Sequence, residues 1–224
     1  MNHRGSSRFG SDGETARIVV EFLEVAINTI VFLKGVYPSG TFERCRYMNV
    51  VVEKSRHPQL RDYIHSTVQN LQPFIQKGLV ERVAVIFFDK ENVPSERFLF
   101  KFTLSSSSAE EGSLESCLRS FLVKLLVSEP LTKVISSDCR WEIVGYFSTL
   151  PQEAVGNEEA KLWTSTNTKQ WQQPPLITPI KSMSSESANM QLYLEHPSLS
   201  ECGNQPTFSS SPDENMVIQD TPDR

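Results

Sequence analysis

Between Glu14 and Lys34, apolar residues fall at nearly every angle around a helix. Ile18, Phe22, Val25 and Phe32 are joined by Val19, Leu23, Ile27, Ile30 and Val31. A helix that is apolar on one stripe lies on a surface, whereas one that is apolar nearly all round is enclosed by neighbours. Gly35, with Pro38 beyond it, marks its stop. The stretch from Ile18 to Leu33 is interrupted by Glu21, Glu24 and Asn28, and it falls short of the ~20 apolar residues that a membrane-spanning helix needs. The reading is a buried central helix on which every other element packs.

Those other elements alternate between the two periods. Tyr47 to Val52 carries the run Val50-Val51-Val52 and reads as one short strand. Pro58 opens a second helix with Leu60, Ile64, Val68, Leu71 and Ile75 on one face, closing at Gly78, and Pro73 is expected to kink its last turn. Val83 to Phe88 and the alternating Phe98, Phe100 and Phe102 flank the turn residues Asp89 to Asn92, which makes a β-hairpin. After a serine linker at Ser105 to Ser108, Leu114, Cys117, Leu118, Phe121, Leu122 and Leu125 form a third helix. Trp141 to Phe147 is a further strand. Three helices against an antiparallel sheet is an α+β layout.

From Ser148 to Ile177 no period is visible, yet Trp163 and Trp171 lie there among prolines and polar residues. Compact domains rarely carry so long a structureless connection without a function for it. A tryptophan in such a loop either anchors it on the body or grips something held beneath it. Met190 to Leu194 then alternates cleanly, with Met190, Leu192 and Leu194 on one face and Gln191 and Tyr193 on the other, so a late strand returns to the sheet. The expected organisation is a disordered leader at 1–13, one domain at 14–195 and a disordered acidic Ser/Pro-rich tail at 196–224.

Of the chain's formal charge of -5, most belongs to that tail, where Glu201, Asp213, Glu214, Asp220 and Asp223 face one base, Arg224. The nearly neutral body argues against direct, strong nucleic-acid binding, because domains that grip phosphates are usually basic. Cys45, Cys117, Cys139 and Cys202 are widely spaced without a C-x-x-C, which suggests reduced thiols rather than a zinc or dithiol site. The polar N-terminus lacks the apolar segment of a secretory signal.

Catalytic machinery is not evident. The sequence contains no G-x-G-x-x-G, P-loop, H-E-x-x-H or G-x-S-x-G. His57 and His65 share a helix but sit about 80° apart around it and about 12 Å apart along it, which does not suit a shared metal. Asp89 and Glu91 fall in a hairpin turn, where acidic residues serve conformation. The expectation is a non-enzyme without cofactor or metal.

The segments Glu21 to Ala26, Val36-Tyr37-Pro38, His57 to Ile64, Phe88 to Glu91 and Met190 to Leu194, in that order, resemble the HORMA-domain family, and most of all its branch serving translesion DNA polymerase zeta. The resemblance runs from about Thr15 to Glu195. It implies that residues 148–195 are a mobile safety belt that wraps a partner's peptide and locks it against the sheet by β-augmentation. It also implies specific surfaces. Tyr63 and Trp163 match positions contacting a proline-containing peptide of the polymerase zeta catalytic subunit. Ile177, Gln191 and Tyr193 match the surface docking the C-terminal domain of a scaffold deoxycytidyl-transferase polymerase, and Arg119 matches a HORMA–HORMA self-association surface. The implied role is a nuclear, non-catalytic adaptor in DNA damage tolerance, with a spindle-checkpoint or meiotic-axis adaptor as the alternative.

Overall fold

The computed structural model describes residues 8–105, 111–128, 139–149, 163–166, 171, 173–197 and 216–218. Its centre is helix α1 (Arg8–Leu33), whose Val19, Phe22, Leu23, Ala26, Ile27 and Ile30 are all buried. Phe22 meets Phe100 edge-on at 6.3 Å and Phe121 at 6.0 Å, so one side chain joins the helix to the sheet and to another helix. The helix begins six residues before Glu14 and takes in part of the stretch expected to be disordered. It ends as expected, with Gly35 at a φ of 64° donating its amide to Phe32.

Strands β1 (Phe42–Tyr47) and β2 (Val50–Ser55) form a two-stranded antiparallel sheet. The single strand expected over Tyr47 to Val52 is therefore corrected: its middle is a hairpin turn, where Met48 and Asn49 adopt φ of 46° and 60°. Two consecutive left-handed residues match the twist of the flanking strands. Asn28, the polar break in α1, explains the attachment, since its Oδ1 accepts the backbone N–H of Ser55 at 2.9 Å.

Helix α2 (Pro58–Gln69) buries Leu60, Tyr63, Ile64 and Val68. Pro73 does not kink it; the chain breaks at Asn70 and Leu71 and restarts as α3 (Gln72–Gln76), with the proline in the first turn, where its missing N–H costs nothing. Strands β3 (Val80–Phe88) and β4 (Pro94–Leu104) form the expected hairpin, and α4 (Glu111–Leu126) follows. Next come β5 (Arg140–Phe147), the two-residue β6 (Thr164–Ser165), β7 (Leu176–Ser184), β8 (Ala188–His196) and β9 (Met216–Ile218).

These build one seven-stranded sheet in the order β6-β9-β5-β3-β4-β8-β7. The helices cover one face. On the other face Ala84, Ile86, Phe88, Leu99, Val144 and Tyr146 form a second buried apolar cluster, with the Arg82 guanidinium 4.4 Å from the Tyr146 ring and that of Arg140 4.4 Å from Phe88. Between the layers, Lys34 reaches Glu96 at 2.6 Å, both buried. Burial pushes the Lys34 amine below its ordinary pKa, and the glutamate opposes that shift.

Candidate functional site

The middle of a sheet leaves no ladder open, so a peptide can be received only at a flank. Strand β5 pairs with β3 on one side, Val85 opposite Ile143 and Ala84 opposite Val144. Its other side is paired only in part. There β9 runs antiparallel to it, with Ile218 opposite Val144, Val217 opposite Gly145 and Met216 opposite Tyr146. Strand β6 closes over the far side of β9, Thr164 opposite Ile218 and Ser165 opposite Val217. A gap one strand wide thus lies between β5 and β6, and an extended segment fills it.

Tyr63 and Trp163 bracket this gap. Tyr63, 7% exposed on α2, stacks edge-on against Trp141 at 5.5 Å, and its Oη accepts the backbone N–H of Ile143 at 3.3 Å. An amide that donates to a side chain is not donating to β3, so it lies on the flank where β9 pairs further along. Burial pushes the Tyr63 phenol above its ordinary pKa, partly offset by that amide. Trp141 in turn donates from Nε1 to Tyr37 Oη at 3.1 Å, which ties the Val36-Tyr37-Pro38 segment to the same corner. Trp163 immediately precedes β6, is 2% exposed, and meets Phe147 at 5.6 Å. Phe147 also packs on Phe74 of α3 at 5.3 Å. The aromatic column Phe74, Phe147 and Trp163 therefore ties the residue preceding β6 to β5 across the strand that separates them. Gly145 sits within this column, since a Cβ there would lie 2.7 Å from the Phe147 ring.

Ile177, Gln191 and Tyr193 come together on the β7–β8 hairpin. Ile177 is opposite Glu195, and alternation places Glu195, Tyr193 and Gln191 on one face, away from the buried Met190, Leu192 and Leu194. Ile177 is 60% exposed, and Tyr193 donates to Gln191 Oε1 at 2.6 Å. This hairpin is at the opposite end of the sheet from β6. Trp171, beside the Arg97 guanidinium at 5.7 Å, and the 3.1 Å ion pair of Arg97 with Glu195 tie its base to β4. Arg119 is exposed on α4, with the half-exposed Val123 one turn further on.

The residues weighed for chemistry have structural partners. Asp89 Oδ1 accepts the amides of Glu91 and Val93 at 3.0 and 2.8 Å, as a turn aspartate does. His65 Nδ1 lies 2.9 Å from Glu24 Oε2, and His57 is the residue preceding α2. No cluster of three His, Cys, Asp or Glu side chains suited to a metal occurs among the described residues. The open flank of β5 and the strand in it went unseen in the sequence, because a flank is a property of pairing and three residues are too few to show a period.

The molecule is an α+β body whose sheet holds an extended segment of the chain between β5 and the returning β6. The chain belongs to the HORMA-domain family, whose model matches residues 15–140. It is 61% identical over 193 residues to the DNA polymerase zeta processivity subunit of Arabidopsis thaliana, covering 84% of this chain and 89% of that protein. It is 32% identical to the mitotic spindle assembly checkpoint protein MAD2B of Homo sapiens, covering 80% and 90%. Among solved structures, C. elegans HTP-2 bound to the HIM-3 closure motif superposes with a TM-score of 0.69 at 8% identity, covering 84% of this chain and 92% of that one. A chain of the mitotic checkpoint complex superposes with the same score at 15% identity, covering 82% and 98%.

Proposed function

We propose that this chain is the non-catalytic accessory subunit of a translesion DNA polymerase zeta, acting in the nucleus as an adaptor. It clasps a proline-containing peptide of the catalytic subunit and presents a separate surface to a scaffold polymerase. The observation that carries the reading is the gap between β5 and β6, bracketed by Tyr63 and Trp163 and already able to hold a strand. The 61% identity to a polymerase zeta processivity subunit supports the choice of client.

The physics is main-chain pairing followed by enclosure. An extended peptide completes the ladder of β5, and β6 pairs with its far side, so the peptide leaves only when β6 detaches. Dissociation is therefore slow compared with that of an open edge. Ile177, Gln191 and Tyr193, at the other end of the sheet, take the C-terminal domain of the scaffold polymerase without competing for the gap. Arg119, on the exposed side of α4, serves a self-association surface. The clasp itself performs no chemistry.

Titrating the purified full chain with a labelled peptide from the catalytic subunit tests the reading. Binding is expected, with a loss of tenfold or more in affinity on Trp163→Ala or Tyr63→Ala; binding unaffected by either substitution overturns it. The relatives named as spindle checkpoint proteins favour one second reading, the same clasp with checkpoint or meiotic-axis clients. Partner recovery from cell extract separates the two, because translesion polymerases and checkpoint or axis proteins are different sets.

A further inference from the structure

The occupant of the gap belongs to the chain itself. Met216-Val217-Ile218 is the one run of three consecutive apolar residues after His196, in a tail otherwise dominated by Ser, Pro, Asp, Glu and Asn. Two of the three are β-branched and suit a strand. They form β9, paired on one side with Val144 to Tyr146 and on the other with Thr164 and Ser165.

We propose that Met216–Ile218 is a built-in competitor: the chain's C-terminal strand occupies in cis the position a client peptide takes, and a client binds by displacing it. This rests on the reading of the gap between β5 and β6 as the peptide site. Reach presents no obstacle. At ~3.3 Å per residue the stretch 197–215 can extend about 60 Å, whereas four strand spacings of about 4.8 Å separate β8 from β9. Tethering holds the segment at a high effective concentration, so even a short, weak strand fills the site.

The geometry also says why the competitor yields. Strand β9 covers only Val144 to Tyr146 of a strand that starts at Arg140. Among the described residues no strand pairs the same flank of Arg140 to Ile143, and the Ile143 amide is held by Tyr63 Oη. A client that pairs past Gly145 toward Trp141, displacing Tyr63 Oη from the Ile143 amide, gains main-chain bonds the tail never makes. Short clients are thereby excluded and long ones admitted, which makes the tail a selectivity device.

The test compares the full chain with its Val217→Pro variant, whose proline removes a strand amide in a segment remote from the helical core. Client-peptide affinity and amide exchange at Ile218 are measured on both. If the tail leaves about one molecule in ten open, the variant binds the peptide about tenfold more tightly. The Ile218 amide is expected to be protected in the free full chain, and to lose that protection in the variant or when peptide is added to the full chain. Equal peptide affinity in both proteins overturns the competitor while leaving the clasp intact. If neither binds peptide and Ile218 is protected, the clasp reading fails and with it the competitor, leaving β9 a structural strand. A concentration-dependent dimer abolished by Val217→Pro puts the strand in a second copy and overturns the assignment in cis.

Discussion

Tyr63 does two things at once: it buries an aromatic ring against Trp141 and completes the hydrogen bonding of a strand amide. Tyr63→Phe keeps the ring and removes only the acceptor, so it is expected to lower stability by about 1 kcal/mol, read from chemical denaturation. Its pH signature follows from burial. The folded phenol has a pKa raised above the ordinary value of 10.0, so its contribution is complete below that pH and is lost as pH rises through and beyond it. Stability above pH 10 should therefore decline less steeply in Tyr63→Phe than in the parent. Part of the slope survives, because burial raises the Tyr47 phenol in the same direction. Gly145 gives a sharper test of the aromatic column. Gly145→Ala drives a methyl into the Phe147 ring that supports Trp163 and should cost about 1–3 kcal/mol. It should weaken client binding without removing any group that touches the client, a combination seen by pairing thermal unfolding with peptide titration.

Elements with many residues of one period are the ones the sequence displays. Helices α1, α2 and α4, the β3–β4 hairpin, β5 and β8 each repeat an apolar spacing long enough to identify, and the α+β class follows from their order. Strand β1 was not legible because Phe42 to Tyr47 carries Glu43, Arg44 and Arg46 on a two-stranded sheet with an exposed side. The break between α2 and α3 was missed because the apolar spacing continues through it and only capping geometry reveals it. Strand β7 is an edge with Leu176 and Ile177 largely exposed, so no buried face imposes alternation. For the hairpin turn at Met48 and Asn49, Asn49→Gly should be neutral or stabilising, while Asn49→Val should cost about 1–2 kcal/mol, because a β-branched residue resists a positive φ. Between layers, Lys34→Met leaves Glu96 buried without its cation and should cost about 3–5 kcal/mol. Adding Glu96→Gln should recover much of that loss, a non-additivity that a double-mutant cycle in denaturant measures.

At the scale of the molecule, one sheet serves two ends. The β5 end receives a strand, and the β7–β8 end displays Ile177, Gln191 and Tyr193 on a hairpin face directed away from the core. Tyr63 and Trp163 were singled out by resemblance, and their relation was not visible in the sequence, where one sits on a helix and the other in an aperiodic stretch. Only the fold brings both to β5, Tyr63 at Ile143 and Trp163 at Phe147, at the two ends of the Val144–Tyr146 stretch that β9 pairs. The corresponding prediction is independence: Tyr193→Ala should leave peptide affinity unchanged while lowering affinity for a partner docked at the hairpin, measured by titrating each partner separately. The central claim is that a client pairs with the flank of β5. Amide exchange along Trp141, Ile143 and Gly145, with and without a peptide of the catalytic subunit, tests it most directly. Slowed exchange extending back from Gly145 to Trp141 upon peptide addition is the predicted result; unchanged exchange along β5 in a chain that has bound the peptide would contradict it.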